Sequence, residues 1–395
     1  MSAPNNKPTL LCVANWDSNV GYAWWLMESF WIKIHAEFST DYEVMIAYPS
    51  ISTLPKAIQD SKIRTVEFNF GVKHPRDLTA HINFIKKHKV QAIYFSDHPT
   101  SHWSYLFFRF FGVKKIAVHD HTPGDRTTST GWKKIAKSLR SRLPYINADI
   151  AIGATEFVQQ RLIHVSCIPA HKCFVAPNGL PALTTPIDAA NLNEQFCIPT
   201  GHTIIVSTGR ATFYKGVDFA LEVIARLVHT HNQHHIHYLY CGDGPDIEKF
   251  NALAKALNID KYTSFPGRIS NIESTLASCQ IAFHPSRGEV GYSLSILEYM
   301  RAQLPVVVPN RPSVCEAITD QHDGLVYDAQ SHEAATTALL KLISEPALRT
   351  QMGARAQQTV ANRYSLDNTH DHLINALDTL ICRKSRNSGM QEPAR

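Results

Sequence analysis

Apolar residues of this chain fall into short continuous runs that alternate with longer segments of helical periodicity. Continuous apolar runs of this length are typical of strands that are buried on both faces of a parallel sheet. In the first half of the chain, the predicted strands are residues 9–16, 42–48, 65–70, 92–97, 115–121, 148–153 and 173–177. Helical segments lie between them, among them one that ends near residue 38, then 75–89 and 102–111. This alternation predicts a doubly wound α/β domain.

The alternation stops at residues 180–200, which contain three prolines and little periodicity, and then begins again. Such a stretch predicts a linker. After it, the predicted strands are residues 203–207, 235–241, 262–265, 279–284, 305–309 and 324–327, with helices at 217–228, 246–257, 331–344, 346–362 and 366–382. A single core rarely grows beyond about 250–300 residues. We therefore predict an N-terminal domain at residues 1–185, a C-terminal domain at 186–365, a last helix at 366–383 and a flexible tail at 384–395.

Composition narrows the class of protein. Apolar residues make up 44% of the 395 residues and charged residues 18%, as in an ordinary globular protein. The sequence contains no run of about 18 apolar residues, so we expect no membrane span. Residues 1–8 lack the apolar core of a signal peptide. The eight cysteines are scattered without a CxxC pair, which favours a reducing compartment over a disulfide framework. We therefore expect a cytoplasmic protein.

Positive charge is concentrated in the first half of the chain. Residues 1–180 contain 21 Lys and Arg against 13 Asp and Glu, a net charge of +8, whereas the remainder has a net charge of −3. This asymmetry predicts an anionic partner for the first domain, and no nucleic-acid-binding motif is present. Residues 126–148 contain no acid and six cations, namely Arg126, Lys133, Lys134, Lys137, Arg140 and Arg142.

Apolar residues in the same segment recur at helical spacing; they are Trp132, Ile135, Leu139 and Leu143. One interpretation is a basic amphipathic helix, over about residues 132–143, that lies on an anionic membrane surface. It would place the protein peripherally on the inner face of the plasma membrane. The other interpretation is an ordinary surface helix that packs its apolar stripe on the sheet.

A predicted strand, a glycine-containing turn and a helix follow one another at residues 279–300. Ser293 is a good N-cap residue, so we expect the helix to begin there. A helix N-terminus after a tight turn attracts anions, because free N–H groups and the helix dipole both face the turn. Glu289 and Glu298 flank this turn, and carboxylates beside a phosphate site are suited to bind hydroxyl groups. The stretch therefore predicts a nucleotide-sugar site.

Two further segments follow predicted strands of the second half, where doubly wound domains bind ligands. Residues 209–216, Gly-Arg-Ala-Thr-Phe-Tyr-Lys-Gly, contain Arg210 and Lys215, which are both suited to hold a diphosphate. The alternative is a solvated loop with two cations. Residues 241–245, Cys-Gly-Asp-Gly-Pro, are a weaker signal that is typical of a turn.

Histidines form two groups in the sequence. His119-Asp120-His121 ends a predicted strand of the first domain, and a His side chain can donate to a sugar hydroxyl. This H-x-H pattern has no third ligand nearby, so we expect no metal site. Five histidines between residues 229 and 237 span a helix end, a loop and a strand start. We expect them to form a solvated loop rather than a cluster.

Taken together and in this order, these segments resemble the retaining GT-B glycosyltransferases of family 4. The resemblance covers about residues 202–330, through GRATFYKG, YLYCGDGPD, SFPGRI, EYMRAQLPVVVP and CEAITDQHDGLVY, and is looser over the first domain. It implies two Rossmann-like, doubly wound domains that face each other across a cleft, with the last helix returning to the N-terminal domain. It also implies transfer of a sugar from a nucleotide-diphosphate sugar to an acceptor hydroxyl with retention of anomeric configuration, without a cofactor or an obligatory metal.

The resemblance assigns roles to individual residues. Arg210 and Lys215 would bind the diphosphate, Glu298 would bind the ribose, and His119 would contact the sugar near the reacting carbon. Backbone amides of residues 291–294 would face the donor, and Gly267 and Arg268 would lie against its base. The complete set of implied donor-binding residues is Gly21, Gly209, Arg210, Lys215, Gly267, Arg268, Glu289, Gly291, Tyr292, Ser293, Leu294 and Glu298.

One departure from the family pattern concerns the first of its two glutamates. The family has seven residues between the two, and Val290 stands at that spacing from Glu298. Either the turn carries one extra residue and Glu289 binds the transferred sugar, or this carboxylate is absent. The interval from Pro285 to Glu289 matches the family and favours Glu289. The expected catalytic set is therefore His119, Arg210, Lys215 and Glu289.

The sequence leaves three functions to compare. The leading one is an enzyme of cell-surface polysaccharide, lipopolysaccharide or glycolipid synthesis, with a carbohydrate or lipid-linked acceptor. The displaced glutamate motivates the second, a non-catalytic nucleotide-sugar-binding protein. The third, a two-lobed solute-binding protein, is disfavoured because we expect no signal peptide. The nucleotide base, the sugar, the acceptor, the linkage and the oligomeric state stay open.

Overall fold

Two parallel sheets form the framework of the chain in the computed structural model, which describes residues 7–20, 24–183 and 188–381. The chain divides into two units. Of the described residues, those up to Thr122, in Arg126–Pro177 and from Thr369 to Ile381 form the first unit, and those in Pro123–Asp125 and Asn178–Asn368 form the second. The expected domain boundary at residues 185 and 186 lies outside the described residues and stays a prediction; the two units themselves divide between Pro177 and Asn178.

Seven strands of the described residues form the sheet of the first unit, and every neighbouring pair is parallel. They are β1 (Thr9–Val13), β2 (Glu43–Tyr48), β3 (Arg64–Glu67), β4 (Val90–Ser96), β5 (Lys115–Asp120), β6 (Ile150–Gly153) and β7 (Cys173–Val175). Their order is β3-β2-β1-β4-β5-β6-β7. The side chains of β1 are all buried, as expected for a central strand that is covered on both faces.

The helices of the first unit connect these strands. They are α1 (Trp24–Phe38), α2 (Lys56–Ser61), α3 (Leu78–Lys87), α4 (Ser104–Phe110), α5 (Gly131–Arg142) and α6 (Glu156–His164). Aromatic and aliphatic side chains such as Phe84, Phe95 and Phe108 fill the core on one side of the sheet. The short helices α2 and α6 were not predicted, because segments of six to nine residues give little periodic signal.

Six strands of the described residues form the sheet of the second unit, again all parallel. They are β8 (Thr203–Thr208), β9 (Ile236–Cys241), β10 (Thr263–Gly267), β11 (Ile281–Phe283), β12 (Val306–Pro309) and β13 (Gly324–Tyr327). Their order is β10-β9-β8-β11-β12-β13. Both sheets therefore have the 3-2-1-4-5-6 order of doubly wound folds, in which ligands bind where the order reverses. In the second unit this switch point lies between β8 and β11.

The helices that follow in the chain are α7 (Leu192–Phe196), α8 (Val217–His229), α9 (Ile247–Ala256), α10 (Ile272–Ala277), α11 (Leu294–Arg301), α12 (Pro312–Cys315), α13 (His332–Ser344), α14 (Pro346–Arg363) and α15 (Leu366–Ile381). The prediction for the start of α11 is confirmed, because the Ser293 side chain accepts a hydrogen bond from the Ile296 N–H. The expected linker contains α7, whose N-cap is Asn191, so that prediction was too coarse. None of the helices in the described ranges combines the length and the apolar character needed to cross a membrane.

Candidate active site

The carboxyl ends of β8 and β11 bring two of the predicted motifs together at the switch point of the second unit. The turn before Lys215 and the turn after β11 are in close backbone contact, since a Cβ on Gly216 would lie 2.0 Å from the Pro285 carbonyl oxygen. The Arg287 N–H donates to the Tyr214 carbonyl at 2.9 Å. Residues 209–216 and the turn that contains Glu289 therefore form one site.

Lys215, His284 and Glu289 form a hydrogen-bonded cluster in this site. Lys215 Nζ lies 2.6 Å from Glu289 Oε1, and His284 Nε2 lies 3.1 Å from the same oxygen. Glu289 is 7% exposed and His284 is 3% exposed. No role was predicted for His284 from the sequence. The sequence feature that could have identified it as a site residue is its position directly after a buried strand, at the end of the strand where ligands bind.

Electrostatics fix the charge of this cluster. Burial raises the pKa of Glu289, but the Lys215 ammonium and the hydrogen bond from His284 outweigh burial and hold that pKa at about 2. Burial also lowers the pKa of His284 and outweighs the opposite effect of Glu289. Near neutral pH the cluster therefore contains an ionised Glu289, a charged Lys215 and a neutral His284 that donates its Nε2 proton to the carboxylate.

Low pH should reduce the free energy of unfolding because Glu289 becomes protonated. Its native pKa of about 2 lies below the ordinary 4.5, so between these values the unfolded state binds a proton that the native state does not. We expect the free energy of unfolding to fall as the pH falls through this window, and this part of the pH dependence to disappear in Glu289→Gln. Denaturant titrations at several pH values measure it. The matched control is Glu298→Gln, which should keep the acid loss because burial raises the pKa of Glu298.

Glu298 lies on α11 and differs from Glu289 in its surroundings. Burial raises the pKa of Glu298, and the nearby Arg301 only partly offsets this effect. Arg301 itself is bound to Glu273 at 2.6 Å. In the described part of the chain, no group donates a hydrogen bond to the Glu298 carboxylate. A partly buried carboxylate without internal donors is suited to accept hydrogen bonds from ligand hydroxyl groups.

The turn between the two glutamates is fixed by Ser313. The N–H groups of Glu289 and Gly291 both donate to the Ser313 carbonyl, at 3.1 and 2.9 Å. Gly291 has φ +112°, a conformation that L side chains rarely adopt, so this position of the turn favours glycine. The Gly291 N–H is therefore not available to a ligand, contrary to expectation. Among the described residues, the N–H groups of Ser293 and Leu294 have no partner, as is usual in a first helical turn.

Tyr292 supports this turn from the inside. Its side chain is fully buried, and its hydroxyl donates to the Asn178 carbonyl at 2.9 Å. Its ring packs against Tyr364. The side chain of Tyr292 is therefore fixed in the core, and its role in donor binding stays a prediction that could involve only its backbone.

The loop that contains Arg210 rests on the segment 241–245. A Cβ on Gly242 would lie 1.8 Å from the Gly209 carbonyl oxygen, and a Cβ on Gly244 would lie 2.5 Å from that of Ala211. Neither position has room for a side chain. The sequence predicted only a turn at this segment. In the structure, its glycines are needed because two backbone segments pack closely there. Arg210 is exposed, and its side chain has no hydrogen bond or ion pair within the described residues.

A comparison with known families identifies the second unit. Residues 188–359 match the family model described as glycosyl transferases group 1. The match covers less than half of the chain, so it identifies the second unit as a member of this family. Together with the curated relatives, it shows that the chain is a retaining glycosyltransferase that uses a nucleotide-sugar donor.

Relatives of this glycosyltransferase are distant in sequence. It is 23% identical to alpha-D-kanosaminyltransferase of Streptomyces kanamyceticus over 69% of its own length and 72% of that protein. It is 30% identical to the O-antigen biosynthesis glycosyltransferase WclY of Escherichia coli, over 32% of the chain and 34% of the relative. Sequence similarity therefore covers about a third of one relative and most of the other.

Solved structures of low sequence identity share the fold over nearly the whole chain. A glycosyltransferase from Rickettsia africae has a TM-score of 0.76 at 20% identity, with 97% of this chain and all of that chain covered. Anabaena HepE in complex with UDP-glucose has a TM-score of 0.71 at 15% identity, with 94% of this chain and all of that chain covered. The GT-B fold expected from the sequence is confirmed.

The remaining predicted site residues of the glycosyltransferase belong to other elements of the second unit, to the first unit or to residues that the structure does not describe. Gly267 ends the edge strand β10, two strands from β8, and Arg268 is exposed beside it. Gly21 lies outside the described residues. His119 belongs to the first unit and is completely buried. Its role, like those of Gly267 and Arg268, stays a prediction.

The surroundings of His119 keep its imidazole neutral. Its Nδ1 lies 2.6 Å from the Tyr94 hydroxyl, and its ring stacks on Phe30 and lies against the ring of His121. Burial holds the pKa of His119 well below its ordinary range. Its Nε2 has no hydrogen-bond partner within the described residues. Across those residues, no three His, Cys, Asp or Glu side chains gather as metal ligands.

The histidines between residues 229 and 237 do not converge. His229 contacts the Leu257 carbonyl, His234 contacts the Tyr262 hydroxyl, and His237 contacts the Ser264 hydroxyl. His237 is 4% exposed and lies within β9, so the expected solvated loop is wrong for this residue. A strand that is buried on both faces draws even a polar side chain into the core.

Helix α5 exposes its apolar stripe to solvent. Trp132, Ile135, Leu139 and Leu143 are 73%, 63%, 64% and 50% exposed. The only side chain of this helix that is buried is Ser141, which donates to the Cys167 carbonyl. At about 100° per residue, Ser141 lies on the face opposite Trp132. The interpretation that the stripe packs on the sheet is therefore wrong, and a contiguous apolar surface of this kind indicates an interaction site.

Proposed function

We propose that this glycosyltransferase transfers a sugar from a nucleotide-diphosphate sugar to an acceptor hydroxyl in the synthesis of cell-surface polysaccharide, lipopolysaccharide or glycolipid. The observation that carries the proposal is the Lys215–Glu289–His284 cluster at the switch point of the second unit. The Escherichia coli relative named for O-antigen biosynthesis supports the pathway class. The structural similarity to a UDP-glucose complex makes UDP-sugars the first donors to test.

The donor site has two cations with different surroundings. Arg210 is exposed without an internal partner, whereas Lys215 is already paired with Glu289. Both would face the diphosphate, where negative charge grows as the sugar bond breaks. Cations that are held in place before the reaction stabilise that charge without reorganisation. Their role is to make the nucleoside diphosphate a better leaving group.

The two glutamates would bind the two sugars of the donor. Glu298 would accept hydrogen bonds from the ribose, because its carboxylate has no internal donor within the described residues. Glu289 would bind the transferred sugar through Oε2, because its contacts with Lys215 and His284 both use Oε1. The imidazole of His119 is neutral, and its Nε2 would donate a hydrogen bond to a sugar hydroxyl or accept one from it.

Nucleotide release in the presence of donor and acceptor tests this function. Purified protein is incubated with UDP-sugars, then with sugars carried by other nucleotides, together with extracted glycolipids. We expect nucleotide release that depends on both a single donor and an acceptor, with the anomeric configuration of the product equal to that of the donor. Donor binding measured by calorimetry without turnover on any acceptor would contradict the proposal.

Helix α5 would hold the enzyme on an anionic membrane surface. Its exposed stripe would enter the interface, while Lys133, Lys134 and Arg142 would face the lipid headgroups. This geometry supports an acceptor that is presented by a membrane.

Leu139→Ser should weaken binding to vesicles of phosphatidylcholine and phosphatidylglycerol by about tenfold or more, since full burial of a Leu side chain is worth about 1.5–3 kcal/mol. Thermal stability should not change, because Leu139 is already exposed. Vesicle flotation measures the effect. The matched control is Leu183→Ser, which removes an exposed leucine of the second unit. An equal loss of vesicle binding in Leu139→Ser and Leu183→Ser would show that α5 does not make the contact with the membrane.

A further inference from the structure

A cavity of about 370 Å³ lies in the first unit, at the carboxyl ends of β4 and β5. Small-molecule sites typically have volumes of about 300–1,000 Å³. The loop that follows β4, the residues around Asp120 and one side of α5 line it. In doubly wound units, the carboxyl ends of the strands are where ligands bind. The cavity therefore has the size and the position of a ligand site, and the donor site of the second unit does not include it.

Three cations line this cavity: Arg126, Lys137 and Arg140. None of them forms an ion pair with an acid of the described residues. Arg126 donates to the Thr122 hydroxyl at 2.6 Å, which orients its guanidinium at the cavity wall. Uncompensated cations that converge on a concave surface raise the local concentration of anions.

The two acids of the cavity are already bound by groups of the protein. Asp120 is 8% exposed, is paired with Arg161 at 3.2 Å, and accepts from the Thr122 N–H at 2.9 Å. Asp97 accepts from the His121 N–H at 2.6 Å, and burial raises its pKa. The Arg161–Asp120 pair is neutral as a unit, so the charge that the cavity offers to a ligand is positive.

The position of α5 connects this cavity with the exposed apolar stripe. Lys137, Arg140 and Ser141 line the cavity, while Trp132 and Leu139 project from another side of the same helix. A molecule in the cavity would thus lie one helix width, about 10 Å, from the membrane surface that the exposed stripe is proposed to contact.

We propose that this cavity binds a phosphate group of the acceptor, with Lys137 and Arg140 as its principal ligands and Arg126 at the rim. The proposal rests on the glycosyltransferase function and names its acceptor class: a phosphate-bearing molecule. The planar guanidinium of Arg140 can bind two phosphate oxygens, and Lys137 provides a point charge. The phosphate is that of a lipid headgroup or that of a soluble phosphomonoester, and the two sources are separated by experiment.

The first measurement is calorimetric titration with glycerol 3-phosphate. The protein carries Arg210→Ala and Lys215→Ala, so that the donor site no longer competes for the probe. In this background we expect Lys137→Gln with Arg140→Gln to weaken binding about tenfold or more, because two charge-assisted contacts are lost. The matched control is Lys133→Gln with Lys134→Gln, which removes the same charge from the same helix outside the cavity. We expect the control to bind the probe as its parent does.

The second measurement identifies the source of the phosphate. Full-length protein with the native donor site is floated with phosphatidylcholine vesicles that contain either phosphatidic acid or, at matched surface charge, phosphatidylserine. A lipid source predicts that the cavity variant loses affinity for phosphatidic acid more than for phosphatidylserine. A soluble source predicts equal vesicle binding and a loss only in the calorimetric titration. Either pattern supports the cavity as a phosphate site.

Two results would overturn the proposal. One is equal binding of glycerol 3-phosphate by the cavity variant and its control, together with equal binding of both vesicles by the cavity variant and the wild type. The other is an equal loss of glycerol 3-phosphate binding in the cavity variant and its control, which would show that the charge of the helix acts without the cavity. Binding of UDP, measured with the native donor site, should be the same in the cavity variant and the wild type. Failure of the wild type to bind UDP would count against the proposed donor site and not against the cavity.

Discussion

Arg210→Ala should lower kcat/KM by about 100- to 1,000-fold, the usual effect of removing one group that stabilises developing negative charge, and should leave thermal unfolding unchanged. Both parts of this expectation follow from the surroundings of Arg210. Its side chain is exposed and has no partner within the described residues, so no internal contact is lost with it. The measurement is steady-state kinetics with the active donor, together with the Tm.

The control for this prediction is Arg226→Ala. Arg226 is an exposed arginine on α8 whose side chain forms one ion pair within the described part of the chain, a long 3.7 Å contact with Glu333, so its removal should change neither kcat/KM nor the Tm appreciably. A loss of activity in Arg226→Ala as large as in Arg210→Ala would mean that net charge, rather than position, is responsible. Full activity of Arg210→Ala would remove Arg210 from the donor site.

Lys215→Met should lower both activity and stability. It leaves the buried Glu289 without its cation, and breaking a buried ion pair costs about 3–5 kcal/mol. Because the Lys215 side chain is 24% exposed, we expect a smaller loss, about 2–4 kcal/mol in the free energy of unfolding. Activity should fall at least as far as in Arg210→Ala, because a cation of the diphosphate site is lost as well.

The double variant Lys215→Met with Glu289→Gln separates these two effects. Removing the uncompensated charge should restore much of the stability, while activity should stay low. Denaturant unfolding and kinetics on the same preparations measure both quantities. If the double variant is no more stable than Lys215→Met, the loss came from packing of the lysine side chain. If it regains activity, Lys215 has no role in charge stabilisation.

The sequence predicted those features of the fold that depend on local pattern. The apolar runs of β1, β5 and β8 identified central strands, because strands that are buried on both faces contain few polar residues. Ser293 identified the start of α11, because an N-cap hydrogen bond involves residues only three positions apart. Helix α7 was missed, since five residues between prolines show no period.

The features that sequence reasoning missed depend on contacts between distant residues. The role of Gly242 lies in its close approach to Gly209, which no local pattern records. Periodicity showed that α5 has an apolar stripe but could not show that Ser141, rather than the stripe, faces the unit. His284 was a strand-end residue in the sequence and became a partner of Glu289 only when the turn after β11 folded back over it.

The pairing of Lys215 with Glu289 has a kinetic consequence. A diphosphate that approaches from solvent meets a lysine whose charge is already balanced, so the long-range attraction of the site falls mainly on Arg210. Electrostatic attraction of this kind raises the rate of encounter and weakens steeply with ionic strength. In the proposed donor site, Arg210 would therefore govern how fast a donor is captured and how strongly that rate depends on salt, whereas Lys215 would act on a donor that is already bound.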